Sequence, residues 1–291
     1  MVHQKSQTGI HKMDRSRLTI TLKKSILSAV DNLIDGTNIR NRSHAIETLI
    51  SQSLAPQVKT CLILAGGRGI NMRPFTFEMP KGLFPVAGKP ILEHLIELLS
   101  RYNIRNIILS IGHLGEKIEE YFGNGQKFGV NITYVKEKSE VGTGGALLLA
   151  KKYLTDPAFI VAHGDILIDV NLTDFISYHN ENNSIATIAV TSVVDPSKFG
   201  EIILHGAKVT QFIEKPQKDQ QVSQLISTGL YILNKGILSY LPKSGIAQLE
   251  EIFPKLAQDH QLSGFPFEGK FMDIGTPKSY EQAIKNWSKF K

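Results

Sequence analysis

The chain lacks the sequence features of disulfide-rich secreted proteins and of proteins that cross a membrane. It contains one cysteine, Cys61, in 291 residues, so no disulfide can form within the chain. No apolar run approaches the roughly 20 residues that a membrane-spanning helix needs, and residues 1–16 lack the apolar stretch of a signal peptide. These absences favour a cytoplasmic protein, and the hydrophobic fraction of 42% is enough for a sizeable core.

Acidic residues are scarce at the N-terminal end. Residues 1–57 contain eight Lys and Arg against four Asp and Glu, a net charge of +4, whereas the whole chain carries +6. This asymmetry predicts an anionic partner for the N-terminal segment, such as DNA or a membrane surface. A basic tail that only improves solubility explains the same charge distribution.

Composition and periodicity divide the chain near Pro56, which ends any helix that precedes it. We predict a disordered basic tail over residues 1–14, a small module over 15–54, a linker over 55–58 and a larger domain over 59–291. In the larger domain, short apolar strands alternate with helices near 91–99, 116–122, 146–154 and 172–179. This alternation predicts an α/β fold of Rossmann-like type, with a mixed, mostly parallel sheet and helices on both faces. Strand signals dominate residues 184–233 and predict an appended antiparallel layer.

The small module reads as one strand followed by two helices. Residues 17–22 alternate polar and apolar side chains, as a half-buried strand does. Helical spacing follows over 26–34, and Asn41 or Ser43 can cap a second helix. About 40 residues cannot bury a core alone. We therefore expect the strand to pair with that of a second copy, giving a homodimer or a higher even oligomer.

This module resembles the ribbon-helix-helix family over roughly residues 15–54. In that family a two-stranded ribbon enters the DNA major groove, and the second helix binds a phosphate at its N-terminus. The resemblance implies DNA as the anionic partner, rather than a membrane. It implies Arg17, Thr19 and Thr21 as base-reading residues, and Arg42 and Ser43 as the phosphate clamp. A dimerisation module that never contacts DNA is the alternative.

A glycine-rich loop follows the first strand of the larger domain, at residues 66–69. Glycines let backbone N–H groups approach a phosphate closely. The loop lacks the lysine spacing of a P-loop and the glycine spacing of a dinucleotide site. Taken alone, it fits a structural turn as well as a phosphate site.

The continuation of this loop resembles the signature of the sugar-1-phosphate nucleotidylyltransferases. Six stretches match in the order of the family, at residues 64–76, 80–90, 142–146, 164–165, 214–216 and 273–277. The resemblance spans residues 58–291, and the stretch 140–146 looks most like the mannose- and heptose-1-phosphate guanylyltransferases. Glucose 1-phosphate with UTP or dTTP remains an open alternative.

The resemblance implies transfer of a nucleotidyl group from a nucleoside triphosphate, with GTP favoured, to a sugar 1-phosphate. Two anions must meet in this reaction, so catalysis depends on positioning and on cations. Asp165 and Asp273 would hold Mg²⁺ as cofactor, Lys81 and Lys215 would bind phosphates, and Glu214 would accept hydrogen bonds from the sugar. The other substrate-binding residues lie in the glycine-rich motifs and in one strand: Leu64, Ala65, Gly66, Gly67, Gly69, Gly142, Thr143, Gly144, Thr228 and Gly229.

One position departs from the family pattern, because Asn71 stands where the family has an arginine that contacts the leaving pyrophosphate. Losing such a donor can cost roughly 10²- to 10³-fold in rate. Arg73 is our candidate for a catalytic replacement if the loop bends inward, whereas Arg68 fills a variable position of the motif.

Three interpretations follow from these motifs. The first is an active transferase whose N-terminal module dimerises it or binds DNA. The second is a DNA-binding regulator whose transferase-like domain senses a nucleotide or nucleotide sugar, and the third is a non-catalytic regulatory subunit. The two retained carboxylates, Asp165 and Asp273, favour the first interpretation, while Asn71 and the basic N-terminus favour the second.

Overall fold

The computed structural model of the chain describes residues 19–37, 39–54, 58–243 and 245–287. The chain forms two compact units, Met1–Leu54 and Ala55–Lys291. No helix within the described ranges is both long and apolar enough to span a membrane.

The first unit contains the two helices α1 (Lys24–Asp31) and α2 (Arg42–Leu54). The helices pack together, and Val30 and Ala45 are buried. Asn41 caps α2, because its side-chain oxygen accepts a hydrogen bond of 2.9 Å from the backbone N–H of His44.

The strand predicted over 17–22 is not formed in the part that the structure describes. Residues 19–23 run into α1 without strand hydrogen bonds, and residues 17 and 18 lie outside the described ranges. A lone chain offers this segment no second strand, so its backbone groups have no ladder to join. Large apolar side chains of this unit stay 40–48% exposed: Ile20, Ile26, Leu33, Leu49 and Ile50.

The second unit contains thirteen strands and six further helices, all lying within residues 60–286. The strands are β1 (Thr60–Ala65), β2 (Pro85–Val86), β3 (Lys89–Pro90), β4 (Asn106–Ile111), β5 (Asn131–Lys136), β6 (Ala158–His163), β7 (Ile166–Ile168), β8 (Ala186–Ser192), β9 (Gly200–His205), β10 (Lys208–Glu214), β11 (Leu225–Asn234), β12 (Leu262–Pro266) and β13 (Phe271–Asp273). The helices are α3 (Ile91–Arg101), α4 (Gly115–Phe122), α5 (Gly142–Ala150), α6 (Leu172–Asn182), α7 (Phe253–Gln258) and α8 (Pro277–Asn286).

Nine of these strands form one sheet in the order β5-β4-β1-β6-β11-β8-β12-β10-β9. Seven of them run in the same direction, and β10 and β11 run against them. The predicted mixed sheet is therefore confirmed, but four of its strand pairings are parallel and five are antiparallel, so the sheet is not mostly parallel by pairing. The strands β8, β9, β10 and β11 pair with one another in antiparallel fashion, as predicted, but they extend the main sheet and do not form an appended layer. The strand β11 pairs with β6, so that Leu230 lies opposite Ala162.

Helices cover both faces of the sheet because successive strand residues point to opposite sides. Cys61 and Ile63 of β1 pack into a core that contains α3, α4 and α6. Leu62, between them, packs into a second core that contains α5 and α7. The central strands are therefore apolar on both faces, which is why they read as continuous apolar runs in the sequence.

Candidate active site

Two adjoining cavities lie at the ends of β1 and β6. The first, of about 360 Å³, is lined by residues from the glycine-rich loop and from the start of α5. The second, of about 1140 Å³, is lined by residues from β10, β11 and β13. Six residues line both cavities: Lys81, Glu140, Thr143, His163, Asp165 and Gln248. Parallel strands commonly place a ligand at this edge, outside their carboxyl ends.

The glycine-rich loop exposes its backbone to the first cavity. Leu64, Ala65, Gly66 and Gly67 all line this cavity. A side chain at Gly66 would overlap the carboxylate of Glu137, whereas a Cβ at Gly67 would meet no atom within 4 Å. The loop therefore leaves room at Gly67 for a ligand to approach the main chain.

The glycines of α5 divide into cavity-lining and packing positions. Gly142 and Thr143 line the first cavity, as predicted. Gly144 is not among the described residues that line either cavity, and its backbone N–H donates to the carbonyl of Ala247 at 2.9 Å. A Cβ at Gly144 would lie 2.7 Å from Leu241 Cδ2. Gly144 therefore packs against Leu241 and Ala247, and its contact with substrate stays a prediction.

The two predicted metal ligands meet although they lie far apart in sequence. Asp165 lies between β6 and β7, and Asp273 ends β13, where it pairs with Ile166 of β7. The ammonium group of Lys81 donates a hydrogen bond to Asp165 Oδ2. All three side chains line the second cavity.

The charges of this cluster shift one another's ionisation. Burial, together with the negative charge of Asp165, raises the pKa of Asp273 to about 6. Burial also opposes ionisation of Asp165, but the adjacent Lys81 and His163 lower the pKa of Asp165 below its ordinary value. Burial disfavours the charged form of Lys81, yet the two carboxylates raise its pKa. The site therefore holds two carboxylates and one cation, with Asp273 the carboxylate that ionises less readily.

This donor set fits Mg²⁺. No group of three or more His, Cys, Asp and Glu residues that could hold a metal occurs in the described part of the chain. Mg²⁺ commonly takes only one or two carboxylates from the protein and completes its shell with water and substrate phosphates. Burial and, second, the negative charge of Asp165 raise the pKa of Asp273, and the charge of a bound divalent cation would offset both effects.

The far wall of the second cavity carries the remaining predicted residues. Lys215 Nζ lies 3.3 Å from Glu214 Oε1, and both residues line this cavity together with Thr228, Gly229 and Gly69. The hydroxyl of Thr228 donates to the carbonyl of Ala189 at 2.8 Å, so its hydrogen is used within the fold. Gly229 has a φ of +76°, and a Cβ there would lie 2.9 Å from the His163 ring.

Arg73 does not take the catalytic position predicted for it. Its guanidinium carbon lies 5.0 Å from the ring centroid of Phe77, and the residue lines a third cavity of about 400 Å³. Asn71 lines the second cavity. The guanidinium group of Arg73 stacks on the Phe77 ring and is not part of the walls of the first and second cavities.

A buried hydrogen-bond network lies next to the predicted metal ligands. Two of its members, His163 and Glu250, are not among the residues predicted from the sequence. His163 Nε2 lies 3.5 Å from Glu250 Oε1, and the hydroxyl of Thr143 donates to Glu250 Oε2 at 2.7 Å. Burial opposes ionisation of Glu250, but His163 and Thr143 lower its pKa to about 2. His163 was within reach of sequence reasoning because it ends a strand just before Asp165. Glu250 lies in irregular chain, and its sequence carries no such signal.

Glu137 is the second group that sequence reasoning missed. It follows β5 and lines the first cavity, and its Oε1 accepts a hydrogen bond of 2.7 Å from the hydroxyl of Ser110. Partial burial raises its pKa above the ordinary value. Its position at the end of a parallel strand is the signal that identifies it in retrospect.

The predicted DNA-binding residues lie in the first unit. The Arg42 guanidinium binds the Asp31 carboxylate through two hydrogen bonds, of 2.6 and 2.8 Å. Arg42 is therefore paired with Asp31 in this structure, and its role as a phosphate clamp stays a prediction. Thr19, Thr21 and Ser43 are exposed, and Arg17 lies outside the described residues. The ribbon-helix-helix assignment of this unit stays a prediction.

Known proteins resemble this chain over its second unit. Residues 60–289 match the nucleotidyl transferase family. The mannose-1-phosphate guanylyltransferase catalytic subunit beta of Danio rerio is 36% identical over 224 residues, which are 75% of this chain and 62% of that protein. The chain thus spans less than two thirds of the length of this relative.

Two solved structures share the fold. A putative glucose-1-phosphate thymidylyltransferase from Bacillus anthracis, in complex with a sucrose, matches with a TM-score of 0.72 and 27% identity, over 78% of this chain and 94% of that one. HddC from Yersinia pseudotuberculosis, complexed with GMP-PN, matches with a TM-score of 0.67 and 28% identity, over 79% of this chain and 100% of that one. With its matching sequence, its sheet and its paired cavities, this chain belongs to the nucleotidyl transferase family.

Proposed function

We propose that the chain catalyses Mg²⁺-dependent transfer of a nucleotidyl group from a nucleoside triphosphate to a sugar 1-phosphate. The observation that carries this proposal is the position of Lys81 and Asp165 in the walls of both cavities, with Asp273 beside them in the second. A nucleotide in the first cavity and a sugar phosphate in the second would meet at this cluster.

In the proposed reaction, an oxygen of the sugar phosphate attacks the α-phosphorus of the triphosphate. The new P–O bond forms as the bond to the β-phosphate oxygen breaks, and pyrophosphate leaves with that electron pair. Bound Mg²⁺ supplies positive charge to the phosphate oxygens. Lys81 adds a positive charge at the junction of the cavities, and Asp165 fixes the position of its ammonium group.

The second cavity suits the sugar phosphate. Lys215 offers an ammonium group to the phosphate, and Glu214, next to it, offers carboxylate oxygens to sugar hydroxyl groups. Gly229 leaves this wall without a side chain next to His163, and its positive φ is a conformation that glycine adopts easily. Together these residues hold the attacking phosphate against the cluster, which lowers the barrier through orientation.

We further propose GTP as the nucleotide, and Glu137 supports this choice. Guanine presents two adjacent donors, N1–H and the 2-amino group, and a carboxylate accepts from both. Uracil and thymine present one N–H between two carbonyl oxygens, which a carboxylate repels. Glu137 is the half-buried carboxylate at the wall of the first cavity. The names of the Danio rerio relative and of the HddC complex agree with a guanine nucleotide.

The direct test measures pyrophosphate release by the purified chain with Mg²⁺, a panel of hexose 1-phosphates and all common triphosphates. We expect turnover with GTP, and loss of turnover in Asp273→Asn or when EDTA removes the metal. Glu137→Gln should lower the preference for GTP over UTP, whereas Lys138→Gln, which changes an exposed neighbour, should not. A folded protein that gives no turnover with any pair refutes the transferase proposal.

We also propose that the first unit joins two copies of the chain. Its exposed apolar side chains include Ile26 of α1 and Leu49 of α2, and small folds of this size usually need a partner. DNA binding is the second candidate function of this unit, supported by the exposed Thr19, Thr21 and Ser43. A regulator that senses nucleotides remains the alternative for the whole chain, because uncharged Asn71 lines the second cavity.

A further inference from the structure

The walls of the first and second cavities contain few cationic side chains for a ligand as strongly anionic as a nucleoside triphosphate. Among the described residues that line the first cavity, Lys81 is the one Lys or Arg, and Asp165 already binds it. Lys198 and Lys215 line the second cavity, and Lys215 Nζ lies 3.3 Å from Glu214 Oε1. None of these three lysines belongs to the glycine-rich loop, and Asn71, which follows the loop, is uncharged. A cation that contacts the β- and γ-phosphates from the loop therefore has to come from another residue.

Arg68 is placed to supply that charge. It lies between Gly67 and Gly69 in the glycine-rich loop, and it lines the second cavity together with Asn71 and Lys81. Its side chain is 57% exposed, and its Nε lies 3.3 Å from Glu140 Oε1. A φ of +60° at Gly69 turns the chain sharply directly after Arg68.

Glu140 holds Arg68 only loosely. The Glu140 side chain is 60% exposed, and the residue lines all three cavities, so the ion pair joins the glycine-rich loop to the segment before α5. Exposed ion pairs of this kind contribute little free energy. A polyphosphate carries more negative charge than the Glu140 carboxylate and offers a guanidinium two parallel oxygen acceptors. Replacement of Glu140 by a phosphate as the partner of Arg68 is therefore favourable.

We propose that Arg68 leaves Glu140 when the triphosphate binds and that it contacts the β- and γ-phosphates. The inference rests on the proposed transferase function and assigns a cation to the side of the loop that Asn71 leaves uncharged. Glu140 then acts as a competitor for Arg68 and repels phosphate from the opening. Removal of the carboxylate should strengthen polyphosphate binding, and removal of the guanidinium should weaken it.

The test measures equilibrium binding to the full chain by calorimetry in Mg²⁺, with GTP, GMP and inorganic tripolyphosphate as the three probes. Arg68→Gln should weaken GTP and tripolyphosphate binding roughly 10- to 100-fold, as expected for a lost charge-assisted hydrogen bond, and should leave GMP binding within about twofold. Arg68→Lys should retain part of the affinity, and Glu140→Gln should raise it a few-fold. Lys138→Gln, which removes the same charge from the wall of the third cavity alone, is the matched control and should leave all three affinities unchanged.

Two results overturn the inference while leaving the proposed function intact. One is an Arg68→Gln variant that binds GTP as tightly as the unmodified chain. The other is equal weakening of GTP and GMP, which would mean that Arg68 supports the loop rather than the polyphosphate. An unmodified chain that binds no triphosphate would refute the proposed function as well.

Discussion

Ionised Asp273 should destabilise the metal-free folded protein. Replacing it by Asn should therefore raise the free energy of unfolding, although the variant should lose activity. The pKa of this carboxyl rises from its ordinary 3.8 to about 6, because it is buried and close to Asp165. Each pKa unit corresponds to about 1.4 kcal/mol, so ionised Asp273 disfavours the folded state by at most about 3 kcal/mol. Asp273→Asn removes this penalty and keeps the size of the side chain.

The sign of the pH dependence follows from the raised pKa. Between about pH 4 and pH 6 the unfolded chain loses the Asp273 proton before the folded chain does, so the stability of the folded state falls as pH rises. The penalty is complete above about pH 6 and absent below about pH 4. Asp273→Asn should therefore raise the free energy of unfolding by about 1–3 kcal/mol at pH 8, and by almost nothing at pH 4.

The assay is thermal unfolding in EDTA at several pH values. A gain of 1–3 kcal/mol corresponds to a rise of about 2–10 °C in Tm for a domain of this size. Addition of Mg²⁺ should raise the Tm of the unmodified chain and leave that of Asp273→Asn nearly unchanged, because the dication relieves the same repulsion. A variant with unchanged or lowered Tm at pH 8 would show that burial and the charge of Asp165 do not disfavour ionised Asp273 in the folded chain.

Three further predictions concern other parts of the molecule. Asn71→Arg should raise kcat/KM by roughly 10-fold or more, and an unchanged rate would show that the loop has adapted to Asn71. Gly142→Ala should lower the free energy of unfolding by about 1–3 kcal/mol, because Gly142 has a φ of +75° and a Cβ there would overlap the Ala247 carbonyl oxygen. Gly67→Ala is the control, because a Cβ at Gly67 meets no atom within 4 Å. Equal stability of the two variants would contradict this reasoning. Ile26→Glu should dissociate the proposed dimer, as measured by light scattering, and an unmodified chain that is already monomeric would rule out pairing. If the first unit binds DNA, a gel shift should weaken steeply as the salt concentration rises, and the absence of a shift at low salt would rule out DNA binding.

The sequence predicts those parts of the fold that depend on local pattern. Strand and helix alternation over 60–182 is visible because each element buries its own apolar face, and the glycine-rich loop and Asp165 follow strands that are easily recognised. The strand order could not be read in the same way, because β11 inserts between β6 and β8 through pairings such as Leu230 with Ala162. Nothing in the local pattern of β11 indicates that neighbour.

The same distinction applies to the candidate site. The family resemblance singles out Lys81, Asp165 and Asp273, and the structure places all three in the wall of the second cavity. Glu250, which lies near His163, belongs to the irregular segment 245–252, where no periodicity guides a prediction. The pairing of Arg42 with Asp31 depends on the turn between two helices, and the stacking of Arg73 on Phe77 depends on a local bend. These contacts are set by tertiary geometry and have no counterpart in composition or spacing.

The insertion of β11 into the sheet also affects how the chain folds during synthesis. The strands β5, β4, β1 and β6 are complete once residue 163 has been made, yet β6 stays an open edge until residues 225–234 emerge. An apolar edge such as Ala158–His163 invites pairing with other chains during that interval. Gly229 lies on the strand that finally covers this edge and also forms part of the second cavity. Closure of the exposed edge and completion of this wall of the second cavity are therefore one folding event.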